Sequence, residues 1–351
     1  MSASKTLHFV LPGNPETLTG GYIYDRHILR GLTALGWDVR LHVLDSSFPF
    51  PTDDAIRLAE ECLAAVETGG LVVIDGLALG AMPEVVARHS ERLRLVGLVH
   101  HPLSDETGLD AAQRHKLADS EMRALRSVHR LIVTSPWTRQ RLTDGGISIE
   151  HIGVAVPGTE PASIARGSGS AAPKLLCVAT LTPRKGHAVL FDSLTRLLDR
   201  PWTLDCVGSL ERDAATAEAL RAQIERTGLA NRVRLLGEMT ADALDACYAS
   251  ADVFVLASYL EGYGMAHAEA LAHGLPIVAT AAGAVAHTVP STAALLVSPG
   301  DAAALARALT RVLDDPELRE SLARGARAAR EQLPTWAQAC CRFDAQLRAI
   351  G

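Results

Sequence analysis

Short apolar runs alternate along the chain with longer stretches whose apolar positions recur every three or four residues, and this happens twice. In the first half the runs are LHFVLPG, VRLHVL, LVVIDGL, LRLVGLVHH and RLIVTS, with helical periodicity at about 20–35, 54–67, 83–90 and 110–127. The runs are rich in Val, Ile and Leu and do not alternate with polar residues, as in parallel strands covered on both faces. From about residue 162 the periodicity gives way to PASIARGSGSAAP, which reads as a linker. The alternation then restarts with KLLCVATL, WTLDCVG, RVRLLGE, DVFVLAS, PIVAT and ALLVSP. Helical stretches at about 186–198, 212–227 and 241–250 separate these runs, together with the segment MAHAEALAHG; further helices at 301–314, 316–331 and 335–349 close the chain.

Two βαβ-type halves predict an α/β chain of two doubly wound, Rossmann-like domains facing one cleft. The expected boundaries are 1–162 for the first domain, 163–173 for the linker and 174–334 for the second domain. Ligands of such sheets bind beyond the carboxyl ends of the strands, so the strand-to-helix junctions are where chemistry is expected.

Composition narrows the classes. A length of 351 residues favours two domains over one core. With 48% hydrophobic and 21% charged residues the chain is globular. A net charge of -6 leaves no excess of cations for phosphate neutralisation, so nucleic acid is not expected as a partner. No apolar run approaches the roughly 20 residues of a membrane span. The start, MSASKTLHFVLPG, shows no hydrophobic segment ahead of the first strand, so no secretion signal is expected. The six cysteines form no C-x-x-C pair and read as small apolar core residues in a reducing compartment, which points to the cytoplasm.

Four junctions carry candidate chemistry. After the first strand, Gly20-Gly21 directly precedes a helix, where backbone can approach a ligand and offer unpaired N–H groups; an ordinary capping loop is the other reading. The segment lacks G-x-G-x-x-G, and the chain has no G-x-x-x-x-G-K-[ST], so a nicotinamide dehydrogenase and a P-loop NTPase are both disfavoured. The second junction, LRLVGLVHHPL, places His100 and His101 at a strand end. Neighbouring strand residues point to opposite sides, so one of the two faces the cleft and a metal site made by both is not expected.

In the third junction, LLCVATLTPRKGHAVL, Arg184-Lys185-Gly186 opens a helix. Two cations oppose the helix dipole there unless an anion lies between, which favours diphosphate binding over a solvated pair. The fourth, SYLEGYGMAHAEALAHG, sets Glu261 in a glycine-broken loop and Glu269 on the apolar helix that follows. The amides of Gly264, Met265 and Ala266 are the first-turn donors suited to a phosphate. Glu269 is either a ribose ligand, its two oxygens matching two vicinal hydroxyls, or half of a structural ion pair.

E-G-Y-G-x4-E is an E-x7-E motif. Together with the early Gly-Gly, P-R-K-G-H after a strand and the strand-end His, it makes nearly the whole chain resemble the family-4 retaining glycosyltransferases. The resemblance implies the GT-B fold, with the last helix, 335–351, crossing back onto the first domain. It implies that Lys185 binds a nucleotide diphosphate and Glu269 the ribose. Glu261 and the Gly262-Tyr263-Gly264-Met265 amides then lie on the donor sugar, Gly20 and Gly21 near the diphosphate and acceptor, and His100 near the sugar. Catalytic contributions fall to His100, Lys185 and Glu261. Many members carry an arginine where this chain has Thr180, and Arg184 is the candidate replacement; His101, Thr180 and Gly208 are secondary site candidates.

The expected reaction moves a sugar from a UDP- or GDP-sugar to an acceptor hydroxyl with retention. Lys185, Arg184 and helix-end amides would stabilise the leaving diphosphate. No D-x-D pair ends a strand, and neither a metal nor a separate cofactor is expected. The alternatives are a GT-B nucleotide-sugar 2-epimerase and a non-catalytic sugar-nucleotide-binding protein. The acceptor class (saccharide, lipid-linked saccharide or small metabolite) is open. The basic segment with Arg114, Lys116, Arg123, Arg126 and Arg130 reads as a solvated helix face, with the inner membrane surface as the second reading.

Overall fold

The first apolar run is buried on both of its faces. In strand β1 (Lys5–Pro12), Leu7, Phe9 and Leu11 enter one apolar cluster and Val10 the opposite one. The same split recurs where Val72 and Ile74 oppose Leu71 and Val73. This is why the runs read as continuous rather than alternating. The computed structural model describes residues 5–350. The chain divides into two units: unit 1 runs to Gly158 and resumes at Pro334, and unit 2 is Thr159–Leu333.

Unit 1 holds β1, β2 (Trp37–Leu44), β3 (Leu71–Asp75), β4 (Arg94–Val99), β5 (Arg130–Val133) and β6 (Ile152–Val154) in a parallel sheet ordered β2-β1-β3-β4-β5-β6. Two strands depart from expectation. β2 is the sheet edge, so Leu41 and Val43 are exposed rather than covered. β6 has three residues, too few to register as an apolar run, and is set by its pairing with β5.

The sheet face bearing Leu7, Phe9 and Leu11 is covered by two helices, Gly20–Ala34 and Trp336–Arg348. Tyr24, Ile28 and Leu32 meet Cys340, Phe343 and Leu347 there. Trp336 stacks on His27 with centroids 3.9 Å apart, and Trp37 Nε1 donates to Asp344 Oδ1 at 2.7 Å. The helices touch closely at Gly31, where an added Cβ would lie 2.0 Å from Cys340 Sγ. The closing helix thus packs in unit 1, with a capping box of Thr335 and Gln338 fixing its start.

Unit 2 holds β7 (Lys174–Val178), β8 (Thr203–Val207), β9 (Val233–Gly237), β10 (Val253–Leu256), β11 (Ile277–Thr280) and β12 (Ala294–Val297), ordered β12-β11-β10-β7-β8-β9 and all parallel. The expected linker is not a free tether. Ala165 N donates to His273 O at 2.8 Å and Arg166 N to Ala249 O at 2.9 Å. Asp252 accepts from Ser168 N, Ser168 Oγ and Lys174 N at 3.0, 2.6 and 2.7 Å. A stretch without periodicity is thereby held along unit 2 by its backbone.

Of the cysteines, Cys177, Cys206 and Cys340 are core residues, whereas Cys62 and Cys247 are half-buried and Cys341 is exposed. Among the described residues no helix is long and apolar enough to cross a membrane.

Candidate functional site

The strand order of unit 2 reverses between β7 and β10, which are neighbours: the sheet grows from β7 to β8 and β9 on one side and from β10 to β11 and β12 on the other. Loops leaving such a pair diverge and open a crevice at their carboxyl ends. Both glycine-rich candidate loops leave from this point. They are knitted together: Tyr259 N donates to Arg184 O at 2.8 Å, Arg184 Nη1 to Leu260 O at 3.0 Å, and Lys185 Nζ to Glu261 Oε1 at 2.7 Å.

Local backbone explains the first loop. Pro183–Lys185 forms a 3-10 turn, Gly186 is left-handed at φ +66°, and the helix starts at His187 rather than Gly186. Arg184 and Lys185 therefore stand before the helix, not in its first turn. A Cβ on Gly186 would lie 2.0 Å from Ala257 O, so glycine is required both by φ and by the approach of the two loops. Thr180 follows β7 and its carbonyl accepts from Thr182 N at 2.9 Å. Gly208 is explained by packing, since a Cβ there would lie 2.1 Å from Ala179 O.

Glu261 is buried, and its Oε1 accepts from Lys185 Nζ and from Ser258 Oγ at 2.6 Å. Burial favours the neutral acid, but Lys185, then Arg184 and His267, outweigh it and bring the carboxyl down to about 2. Gly264, at φ +94°, begins the helix Met265–Ala272, and no side chain caps it. Its first-turn amides therefore point out of the helix without an intrahelical acceptor. Gly262, Tyr263 and Met265 are half-buried around this turn, with Tyr263 O accepting from Thr288 Oγ1 at 2.6 Å.

Glu269 lies one turn further on. Its Oε2 accepts from Tyr248 Oη at 2.8 Å, and among the described residues it forms no ion pair, which removes the structural ion-pair reading. The side chain remains half-buried; burial raises its pKa and the Tyr248 bond works against that rise. Sequence reasoning missed Tyr248, Ser258 and His267. His267 is fully buried with neither ring nitrogen hydrogen-bonded; burial pulls it down to about 4, so it is neutral. Its place among the seven residues between the two glutamates was the available signal.

In unit 1 the order reverses between β1 and β3. Gly20 and Gly21 open the Gly20–Ala34 helix behind Thr19, which is extended and makes no side-chain cap. A Cβ on Gly21 would touch the His100 ring at 3.5 Å. β4 ends at Val99, so both histidines lie beyond the strand and find separate acids. His101 Nε2 is 3.4 Å from Glu106 Oε2. His100 Nε2 is 3.4 Å from both Asp25 Oδ1 and Asp75 Oδ2, two residues the sequence reading did not single out. Asp25 interrupts an apolar helix face and Asp75 ends LVVID; each is the kind of buried-face acid that flagged Glu269.

Two clusters have the donor types for a metal, each with ligand atoms within 4.8 Å: Asp25, Asp75 and His100 in unit 1, and the buried Cys177, His187 and Cys206 in unit 2. On the basic helix Ala111–Arg126, Arg123 pairs with Glu84 at 2.7 Å and Arg114 donates to Ser104 O at 2.8 Å. These cations are engaged with the protein's own surface.

Comparison with known proteins gives a consistent picture. Residues 163–329 match the family model "Glycosyl transferases group 1". The chain is 29% identical over 316 residues to an MMP alpha-(1->4)-mannosyltransferase of Mycolicibacterium hassiacum, covering 85% of this chain and 75% of that one. It is 32% identical over 201 residues to a D-inositol 3-phosphate glycosyltransferase of Salinispora arenicola, covering 50% and 45%. A sucrose-phosphate synthase from Thermosynechococcus elongatus superposes with TM-score 0.84 at 22% identity over 99% of both chains. Anabaena HepE, solved with UDP and glucose, superposes with TM-score 0.75 at 20% identity over 97% of this chain and 99% of its own. At those identities the structures speak to fold alone. Unit 2 thus carries a match to the group 1 glycosyl transferases, and the chain as a whole has the two-domain α/β architecture of the GT-B fold.

Proposed function

We propose that this protein is a glycosyltransferase that moves a sugar from a UDP- or GDP-sugar to an acceptor hydroxyl with retention of anomeric configuration. The observation that carries the reading is the pair of knitted loops at the β7–β10 reversal. They bring a lysine, an uncapped helix start and a half-buried carboxylate without a cation to one end of one sheet. In this reading the Met265 and Ala266 amides and Lys185 take the diphosphate, Glu269 the ribose, and Glu261 with the Gly262–Gly264 backbone the sugar. As the sugar departs, negative charge grows on the diphosphate. Lys185 and the amides stabilise it in place, with Arg184 as a second cation. The relatives named as mannosyl- and inositol-phosphate glycosyltransferases support transfer over epimerisation.

A thermal-shift screen against UDP-, GDP- and ADP-sugars tests the donor, because a ligand bound only by the folded state raises apparent stability. Release of the nucleoside diphosphate that rises on adding a sugar or polyol acceptor supports transfer. Donor returned as its epimer, or bound and never consumed, overturns it.

A further inference from the structure

The core of unit 2 contains a polar cluster that neither sugar transfer nor the packing of an apolar core requires. Cys177 on β7 and Cys206 on β8 are register partners on neighbouring parallel strands, so their side chains leave the same face of the sheet. His187, the first residue of the His187–Leu194 helix, lies against them. All three residues are fully buried, and one ligand atom of each lies within 4.8 Å of the other two. The surroundings are apolar, with Phe191 edge-on to the His187 ring at 6.4 Å between centroids.

Protein groups alone serve this histidine poorly. Its Nδ1 is buried with no hydrogen-bond partner among the described residues. Its Nε2 faces Cys177 Sγ at 3.6 Å, and a thiol is both a weak donor and a weak acceptor. The ring has thus left water for one weak bond, which is a net cost. A bond from Nε2 to a metal ion would offset that cost, and the spacing is right for one. With Zn–S of about 2.3 Å and Zn–N of about 2.0–2.1 Å, the tetrahedral angle sets sulfur and nitrogen about 3.5–3.6 Å apart.

We propose that Cys177 Sγ, Cys206 Sγ and His187 Nε2 form a structural binding site for a thiophilic divalent cation, with Zn2+ the ion they suit. Two sulfurs and an imidazole select soft or borderline metals over Mg2+ or Ca2+. Two thiolates and a neutral imidazole balance a dication, so the filled site brings no net charge into the apolar core. Each thiol gives up its proton to solvent as its S–Zn bond forms. The cluster supplies three ligands, which leaves a tetrahedral ion one position for water. Only Gly186 separates His187 from Lys185, so the ion would pin the loop that carries Lys185 to β7 and β8. The site is independent of the transferase reading.

The test uses the full-length protein, reduced, stripped of metal with a chelator, and titrated with Zn2+ or with Co2+ as its coloured stand-in. One equivalent of either ion should bind, releasing about two protons as both thiols ionise. Co2+ should develop thiolate charge-transfer absorption, and Zn2+ should raise the melting temperature as its concentration rises. Cys177→Ala and Cys206→Ala keep the core apolar. Each should weaken Zn2+ binding roughly a hundredfold or more, since even outer-shell partners are worth about 10–100-fold. Cys341→Ser, at an exposed thiol, should bind as the wild type does. Should an alanine variant fail to fold, X-ray absorption of the wild-type zinc complex decides. Two sulfurs at about 2.3 Å and a nitrogen at about 2.0–2.1 Å uphold the site. A shell of nitrogen and oxygen alone overturns it, as does uptake kept in Cys177→Ala and lost in Cys341→Ser. Failure to take up either ion, both in the folded protein and on refolding with the ion present, also overturns it.

Discussion

Lys185 and Glu261 are bonded to each other: the ammonium donates to Oε1 at 2.7 Å, and both side chains are largely buried, at 17% and 8% exposure. The residue assigned to the diphosphate is therefore tied to the one assigned to the sugar. Removing Lys185 takes the hydrogen-bonded cation from a buried carboxylate and leaves it the Ser258 Oγ donor, with the charge of Arg184 nearby. Lys185→Ala should lower donor kcat/KM at least tenfold and also destabilise the fold by about 3–5 kcal/mol, the cost of orphaning a buried charge. The double variant Lys185→Met/Glu261→Gln should recover the melting temperature and leave turnover low. Near-normal kinetics in Lys185→Ala would show that this cation plays no part with the donor.

Glu269 separates stability from binding. Its partner is a neutral hydroxyl, which a glutamine oxygen can still accept from. Glu269→Gln should leave the ligand-free melting temperature unchanged or slightly raised, since a half-buried charge is removed. It should cost about 1.5–3 kcal/mol in donor kcat/KM through loss of the charged contact to a ribose. A large fall in the ligand-free melting temperature with kinetics spared would sink the ribose role.

Acid unfolding should report on Glu261. Its folded pKa is depressed to about 2, mainly by Lys185 against the opposing effect of burial. A depressed carboxyl contributes stability that is present above the unfolded value, near 4.5, and lost as pH falls through 2. Denaturant titrations from pH 6 to 2 should show a steeper loss for wild type than for Glu261→Gln. Parallel curves would mean that the pair adds nothing to folding.

The contact of Gly31 with Cys340 predicts a steric effect. Gly31→Ala drives a methyl group into Sγ, and overpacking of this kind costs roughly 1–3 kcal/mol. Truncating the partner in Gly31→Ala/Cys340→Ala should restore much of the loss, as a double-mutant cycle by thermal melting would show. Additive losses would place the strain elsewhere.

What the sequence revealed of the site was local. R-K-G and E-G-Y-G lie within a few residues of their strands, and helix starts and glycine φ angles follow short-range rules. Asp25 reaches His100 from the Gly20–Ala34 helix and Asp75 from the end of β3, and Tyr248 reaches Glu269 from a neighbouring helix. No spacing rule joins such residues, because their proximity follows from strand order. The strands showed the same divide. Fully covered runs stood out by composition, whereas the edge strand β2 was misjudged as covered and three-residue β6 went unseen.

The closing helix belongs to unit 1, yet unit 2 lies before it in the chain. Unit 2 is therefore a cassette inserted within its neighbour, entered after Gly158 and left before Pro334. Its two ends are tied to each other, Arg330 Nη2 donating to Ala162 O. A gene fragment spanning 159–333 would encode the whole of unit 2 without interruption. Deleting the last fifteen or so residues would spare that cassette and strip Cys340, Phe343 and Leu347 from the core of unit 1, far from the cut in sequence. Damage to the Trp336–Arg348 helix is thus, in three dimensions, damage to the packing of β1 and the Gly20–Ala34 helix.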